Sequence, residues 1–264
     1  MKLNYDNKKI EIIIPKTVPR YKEDVLKFLY QHDVDWIIEH EKKGTFNSDQ
    51  NNVEQIPVKT IGIWMSGGAD SSLLAYLLTK KIKDENLDVL LQPLSVRRIP
   101  KTWNVLYATN VVDFIKDQLK VDNILDLKSY WPSLDDDYQA NFKEFVDRDH
   151  ENFSKNLLQV MYSGITSNPP KGELDEESTQ TNRDDGQGTI LIKDDWPLRT
   201  YYNPFAKINK KTLAKIYDDF GLLETLFPIT RSCEGFEQDT KNYTVHCEKC
   251  WWCKERFWAF GRYI

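Results

Sequence analysis

A serine- and glycine-containing segment at residues 66–72 carries the side chains expected of an anion site. It reads Ser66, Gly67, Gly68, Ala69, Asp70, Ser71 and Ser72. The two glycines allow a tight turn that presents backbone N–H groups without side-chain obstruction. A helix that starts near Ser71 adds the positive end of its dipole, and the three serines supply hydroxyl donors. Because Asp70 cannot favourably face bare phosphate, we expect it to hold Mg²⁺ or to cap the helix. An ordinary capped turn is the alternative interpretation.

The elements on either side of this segment fit the opening of a βαβ unit. Residues 58–65 form a mostly apolar run with several β-branched residues, which predicts a strand that ends at the turn. Residues 71–81 are good helix formers with an apolar stripe and a basic end. Because no lysine follows the second glycine, the segment is not a Walker A loop.

The four cysteines of the chain are clustered near its C-terminal end. Cys247, Cys250 and Cys253 follow one another at three-residue spacing, and Cys233 precedes Cys247 by fourteen residues. This spacing predicts a tetrahedral site with four thiolates, in which zinc has no open position and is structural. Buried or redox-active cysteines without a metal are the alternative. The adjacent His246 could replace one thiolate, although we expect it to be a bystander.

Residues 66–72, placed after an apolar strand, resemble the SGGxDS loop of the PP-loop ATP pyrophosphatases. That resemblance implies an α/β fold of the adenine nucleotide alpha-hydrolase type. It also implies that the loop holds the β,γ-pyrophosphate of ATP while a substrate oxygen attacks the α-phosphorus. The product would be an adenylated substrate, which a nitrogen or sulfur nucleophile then attacks.

The C-terminal part of the chain is similar to the 7-cyano-7-deazaguanine synthase family within that group. The similarity lies in residues 203–221, in the Thr-Arg-Ser-Cys element at 230–233 and in the three later cysteines. By this resemblance the four cysteines are zinc ligands and Lys210 faces the ATP phosphates. The implied reaction joins a deazapurine carboxylate, 7-carboxy-7-deazaguanine, with ammonia and forms a nitrile, using ATP and Mg²⁺. For Lys210, a surface lysine at a helix start is the alternative.

The middle of the chain departs from the family pattern. Where the family has a Gln-Arg-His-like element after its second strand, this chain has Gln92 and then Arg97 and Arg98. At the carboxyl edge of a sheet, Arg97 could hold a carboxylate or an α-phosphate, or lie in a solvent-exposed loop. Residues 162–168 are the nearest match to the family's glycine-led substrate loop.

The remaining patterns predict a parallel twisted sheet with helices on both faces, followed by a C-terminal zinc-binding helical tail. We expect strands at 9–14, 58–65, 89–94, 123–127 and 189–192, and helices at 21–40, 71–81, 104–119, 142–161 and 210–220, the last closed by Gly221. We divide the chain into an N-terminal extension (1–57), a nucleotide domain (58–228) and a cysteine module (229–264). The polar insertion at 168–188 is either a lid or a solvated loop.

Composition and charge narrow the function classes. Of the 264 residues, 40% are hydrophobic and 29% are charged, which is typical of a soluble globular protein. No apolar run approaches the roughly 20 residues of a membrane helix. The short apolar run near the N-terminus has no cleavage site after it, so we expect a cytoplasmic protein. The net charge of −5 argues against stable binding of nucleic acid.

Two other functions stay open at this point. One is a different PP-loop adenylating enzyme, such as a tRNA-thiolating enzyme or an amide-forming ligase. The other is a non-catalytic protein that binds a nucleotide or zinc. The sequence also leaves a homodimer open.

Overall fold

The fold is described from a computed structural model of the chain. The structure describes residues 1–23, 43, 53–97, 103–131, 147–149, 151–174, 183, 190–193 and 198–264. Most of the helix expected at 21–40 therefore lies outside the described residues. So do Arg98 and most of the insertion at 168–188, of which residues 168–174 and 183 are described.

A six-stranded sheet forms the centre of the molecule, with the strand order β7-β6-β5-β8-β10-β9. Its strands are β5 (Thr60–Trp64), β6 (Leu90–Val96), β7 (Lys128–Tyr130), β8 (Val160–Tyr162), β9 (Ile190–Lys193) and β10 (Arg199–Tyr202). Five of these strands are parallel, and β9 pairs antiparallel with β10 at one edge. The predicted parallel α/β sheet is therefore confirmed, with one antiparallel edge strand added.

Four α-helices that have both ends within the described residues accompany the sheet. They are α1 (Ala69–Asp84), α2 (Trp103–Leu119), α3 (Lys210–Asp219) and α4 (Trp251–Phe260). Helix α1 begins at Ala69, two residues before the predicted start. Helix α3 ends where expected, because Phe220 leads into Gly221, whose φ of +66° favours glycine.

Both faces of the sheet are covered. Alternate residues of each strand point to opposite sides, so each face has its own cluster of buried side chains. On one face Ile61 and Ile63 of β5 pack with α1, α2 and α3 in the main hydrophobic core. On the other face Met161 of β8 packs with Leu94, Phe153 and Leu158 in a smaller cluster. Phe153 belongs to the helical residues 151–154, so a helical segment lies on the second face.

The N-terminal residues form two small antiparallel pairs. Strands β1 (Lys2–Tyr5) and β2 (Lys8–Glu11) are joined by a turn whose two residues have positive φ, and β3 (Thr17–Tyr21) pairs with β4 (Val53–Pro57). The strand predicted at 9–14 thus starts one residue earlier and ends at Glu11. Ile10, Ile12 and Val18 belong to the main core. The division at residue 57 stays a prediction.

Two predicted elements are wrong. Residues 123–127 form only an isolated bridge between Ile124 and Leu91, and the strand there is β7, which begins at Lys128. The helix predicted to reach residue 161 ends earlier, and Val160 and Met161 belong to β8. A short run of buried apolar residues has the same sequence signature in a helix and in a central parallel strand. Among the described helices, none is long and apolar enough to cross a membrane.

Candidate nucleotide and metal sites

The candidate nucleotide site lies where the strand order reverses. Strand β5 has β6 on one side and β8 on the other, and the chain continues away from β5 in both directions. In open α/β sheets such a switch point opens a crevice at the carboxyl ends of the strands. Here the segments that follow β5 and β8 meet closely. A Cβ atom on Gly164, after β8, would lie 2.7 Å from the Ser71 nitrogen at the start of α1.

The turn after β5 requires glycine and leaves the start of α1 without a side-chain cap. Gly67 has a φ of +74°, and a Cβ there would lie 2.7 Å from Tyr107 Cβ and 2.9 Å from the Asn104 carbonyl oxygen. Gly68 is the N-cap residue, and no described side chain accepts a hydrogen bond as the cap of α1. The first N–H groups of the helix have no intrahelical acceptor. This end of α1 is therefore a suitable place for an anion.

The three serines of the segment have different surroundings. Ser66 lines the cavity at the start of α1. Ser71 and Ser72 are buried, and both hydroxyls donate to the carbonyl oxygen of Gly68, at 3.3 and 2.7 Å. Ala69 is buried, and its carbonyl oxygen accepts a hydrogen bond from Tyr217 of α3. In this arrangement the hydroxyls of Ser71 and Ser72 support the turn.

Asp70 is not the helix cap, because the cap position is Gly68. Its Oδ2 atom lies 3.3 Å from Lys210 Nζ and accepts a hydrogen bond from Thr166 Oγ1 at 3.4 Å. Its Oδ1 atom is buried, and no described group donates a hydrogen bond to it. A carboxylate oxygen without a donor fits a cation such as Mg²⁺, which prefers oxygen ligands.

Lys210 is the first residue of α3, where the helix dipole disfavours a positive charge. The helix itself is capped by Asn209, whose Oδ1 accepts hydrogen bonds from two backbone N–H groups. The Lys210 side chain is 4% exposed and its Nζ lies 2.8 Å from Glu255 Oε2. The two carboxylates, Asp70 and Glu255, offset the unfavourable dipole and hold the ammonium group beside the turn.

A segment from the cysteine module closes the other side of the turn. The Arg231 backbone nitrogen donates to the Gly67 carbonyl oxygen at 2.7 Å. The Arg231 guanidinium is buried 5.4 Å from the centre of the Trp103 ring. Ser232 lies next to Gly68, since a Cβ on that glycine would lie 3.2 Å from its Oγ atom. The Thr-Arg-Ser-Cys element is predicted to matter only through the family resemblance, which implies no role for Arg231.

These elements enclose a cavity of about 110 Å³. Since one water molecule needs roughly 10–15 Å³ of cavity volume, the cavity has room for several water molecules or a phosphate group. It is lined by Ser66, Gly68, Asp70, Trp103, Asn104, Lys210, Arg231, Ser232, Glu234 and Trp252. The structure therefore brings three predicted site residues of the turn together with Lys210. Trp103, Asn104 and Glu234 carry no sequence signal that distinguishes them.

Arg97 lies apart from this group. Its backbone nitrogen donates to the Tyr130 carbonyl oxygen, and its guanidinium lies 4.1 Å from the centre of the Trp131 ring. Among the described residues, those that line the cavity do not include Arg97. Its predicted role in ligand binding stays a prediction.

The four cysteines meet in one compact group, as their spacing predicts. The Sγ atoms of Cys233, Cys247, Cys250 and Cys253 all lie within 4.8 Å of one another. A tetrahedral ion with metal–sulfur bonds of about 2.3 Å would hold sulfurs about 3.8 Å apart. Cys247 and Cys253 are 3.9 Å apart, so the group fits a single ion. A cubane cluster of iron and sulfide would need more room between its thiolates.

Backbone N–H groups point at the sulfurs, as expected for thiolates. The nitrogens of Cys247 and Gly235 donate to Cys233 Sγ at 3.2 and 3.3 Å, and the nitrogen of Cys250 donates to Cys247 Sγ at 3.3 Å. Hydrogen bonds from the side chains of Cys250 and Cys253, and from the backbone N–H groups of Cys247 and Gly235, lower the pKa of the Cys233 thiol. His246 stacks on Tyr263 with 5.7 Å between ring centres. Within the described residues, the group of side chains that could hold a metal ion consists of the four cysteines, without His246.

Comparison with known proteins gives only loose structural likenesses. No family model matches the chain, and no curated protein matches it in sequence. One similar solved structure is the U34-tRNA thiolase NcsA from Methanococcus maripaludis with its [4Fe-4S] cluster. It has 14% identity and a TM-score of 0.40 over 77% of this chain and 70% of the thiolase. Another is NAD+ synthetase from Burkholderia pseudomallei, with 12% identity and a TM-score of 0.36 over 90% and 82% of the two chains.

Proposed function

We propose that this protein is a PP-loop enzyme that cleaves ATP between its α and β phosphates and transfers AMP to a substrate. One observation carries the proposal: the uncapped start of α1, Asp70 and Lys210 converge on one cavity at the switch point of the sheet. A helix start offers N–H donors and a positive dipole to phosphate. Lys210 adds a buried positive charge, and Asp70 offers an oxygen without a donor for Mg²⁺.

In this proposal the protein acts mainly by binding and orienting the phosphates. The backbone of Gly67 and Gly68 and the first turn of α1 hold the β,γ-pyrophosphate as it leaves. Lys210 offsets the negative charge that develops on that group. Asp70 would hold Mg²⁺, which would supply further positive charge there, and such charge neutralisation is a large part of the rate enhancement in phosphoryl and nucleotidyl transfer. Residue 69 is alanine, so the positively charged side chain beside the phosphates is Lys210 of α3 and not a lysine of the loop itself.

For the acceptor we propose 7-carboxy-7-deazaguanine, with ammonia as the nitrogen donor. A carboxylate oxygen attacks the α-phosphorus, pyrophosphate leaves and an acyl-adenylate forms. Ammonia then displaces AMP and gives the amide. The amide oxygen attacks the α-phosphorus of a second ATP and a second pyrophosphate leaves. Loss of AMP with two protons then gives the nitrile, 7-cyano-7-deazaguanine. Segment 162–168, which contacts the start of α1 through Gly164, supports a substrate site beside the loop.

We further propose that the four cysteines hold a structural zinc ion. Their number, their spacing and the backbone N–H groups directed at them support this assignment. Zinc bound by four thiolates has no open coordination position, so it would stabilise the fold of the C-terminal module without taking part in the reaction.

Incubation with ATP, Mg²⁺, ammonia and 7-carboxy-7-deazaguanine tests the activity. We expect AMP and pyrophosphate to form in a substrate-dependent way, together with the nitrile. Formation of ADP and phosphate would contradict the assignment of the loop. AMP formation with other acceptors but none with the deazapurine would contradict the proposed acceptor. It would still support the proposed cleavage of ATP between its α and β phosphates.

An aspartate pair on α1 provides a matched control. Asp70→Asn should abolish AMP release and leave the metal content unchanged, because Asp70 lies at the cavity and not among the cysteines. Asp84→Asn, at the other end of the same helix, removes only an exposed ion pair with Lys80 and should leave AMP release unchanged. Activity in Asp70→Asn would show that Asp70 has no role in the reaction.

A tRNA-thiolating enzyme is the alternative PP-loop activity. Such enzymes usually need a catalytic cysteine beyond those that bind metal. The chain has four cysteines in total, and all four lie in the metal-binding group. This count favours a nitrogen nucleophile over a sulfur donor carried by the protein.

A further inference from the structure

Four side chains of alternating charge, one half-buried and three buried, connect the phosphate loop with the cysteine module. Lys210 Nζ lies between Asp70 Oδ2, at 3.3 Å, and Glu255 Oε2, at 2.8 Å. Glu255 Oε1 in turn accepts a hydrogen bond from Arg183 NH1 at 2.8 Å. Glu255 has no exposed surface, so its charge depends on these two cations. Neither the sequence patterns nor the proposed reaction gives Glu255 a role.

Glu255 lies close to the metal-binding cysteines in the chain. It is on α4, whose N-cap is Cys250, and it follows Cys253 by two residues. A metal that fixes Cys250 and Cys253 would therefore fix the first turn of α4. Because a helix is stiff over so short a distance, the position of the Glu255 carboxylate follows from that of the cysteines.

A second connection leads to the same loop from Cys233. Arg256, the neighbour of Glu255, is fully buried and its NH1 donates to Thr230 Oγ1 at 3.0 Å. Arg231, which follows Thr230 in the chain, donates its backbone N–H to the carbonyl oxygen of Gly67 in the phosphate loop. Two residues later the same segment supplies Cys233 to the metal-binding group. The phosphate loop and the cysteines are thus joined through short, buried contacts on both sides.

We propose that Glu255 is a positioning residue, which holds the Lys210 ammonium group at the phosphate loop and so couples nucleotide binding to metal binding at the cysteines. This inference rests on the proposed function, since it takes ATP as the ligand of the loop. If a fixed cysteine module favours the binding-competent position of Lys210, linkage requires that bound ATP retain the metal by the same factor.

Zinc affinity, measured by equilibrium competition with a colorimetric chelator with and without ATP, tests the coupling without any measurement of turnover. In the zinc-loaded native protein we expect saturating ATP to raise the zinc affinity about tenfold, within the usual range for coupled sites, and we call this gain the protection by ATP. Glu255→Gln keeps the size of the side chain but removes its charge. It should bind zinc with about the native affinity without ATP and lose the protection by ATP.

Glu237→Gln is the matched control. Glu237 is an exposed acid of the same module, in a short turn between the first and second cysteines, and the variant should behave as the native protein does. Glu255→Asp keeps the charge but withdraws it by one methylene, so partial protection is expected. A purely structural role of Glu255 would change zinc affinity to the same extent with and without ATP.

The outcomes separate this inference from the proposed function. If ATP does not bind the native protein, the proposed function fails. If ATP binds but Glu255→Gln retains full protection, Glu255 is not the positioning residue and the inference is overturned. Should Glu255→Gln fail to fold, the double variant Lys210→Met/Glu255→Gln removes both charges of the pair. Full protection by ATP in that variant, or native behaviour in Glu255→Asp, would overturn the inference equally.

Discussion

Replacement of Gly164 by alanine tests the contact on which the nucleotide site depends. The added methyl group would lie 2.7 Å from the Ser71 nitrogen and 2.8 Å from the Asp70 carbonyl carbon. The shorter distance is about 0.7 Å below the 3.4 Å at which ordinary contact begins. Because both neighbours are backbone atoms at the start of α1, the strain must move the phosphate loop, the segment after β8, or both.

Two effects should follow from this displacement. Overpacking of this kind costs about 1–3 kcal/mol of unfolding free energy, and each kcal/mol lowers the melting temperature by roughly 2–4 °C in a chain of this size. A shift of this size at a binding site costs more in function, since a misplacement of about 1 Å can cost about 100-fold. We expect ATP affinity, measured by isothermal titration calorimetry, to fall on the order of tenfold or more.

Gly172→Ala is the control for stability. Gly172 has a φ of +84° and no described atom within 4 Å of an added Cβ, so alanine there strains the backbone by about 1–2 kcal/mol without moving the loop. It should lower the melting temperature and leave ATP affinity unchanged. If both variants bind ATP equally well, the close approach of Gly164 does not shape the nucleotide site and the reasoning is refuted.

Further predictions follow from particular contacts. Ser66→Ala should weaken ATP binding about tenfold because Ser66 lines the cavity, whereas Ser72→Ala should cost about 1 kcal/mol of stability because its hydroxyl donates to Gly68. The reverse ranking in calorimetry and thermal melts would contradict this. Cys253→Ser should lose bound metal, measured by mass spectrometry of the metal content; full occupancy would refute the site. Arg256→Lys should lower the melting temperature by roughly 4–8 °C, because lysine cannot reproduce the buried fork of hydrogen bonds. A change below about 1 °C would contradict it.

Much of the fold was predictable from local patterns. Strands β5 and β6 and helices α1, α2 and α3 lie close to their expected limits, because each is a continuous apolar or amphipathic run that ends at a turn. The sheet order was not predictable in this way. Strand β8 has only three residues, all buried, and its apolar run continues the pattern of the preceding helical segment. Its place beside β5 depends on pairing with residues far away in the chain.

The two motifs that lie within short stretches were determined by the sequence alone. The glycine turn and the run from Cys247 to Cys253 carry their chemistry in neighbouring residues, so their geometry follows from local backbone rules, whereas Cys233 joins the run from fourteen residues earlier in the chain. Tertiary structure decided the rest. It directed the hydroxyl of Ser72 to the backbone, left Gly68 as the cap in place of Asp70, and set Lys210 between two carboxylates. Partners such as Glu255 come from distant elements, and only packing of α4 against α3 brings such charges into contact.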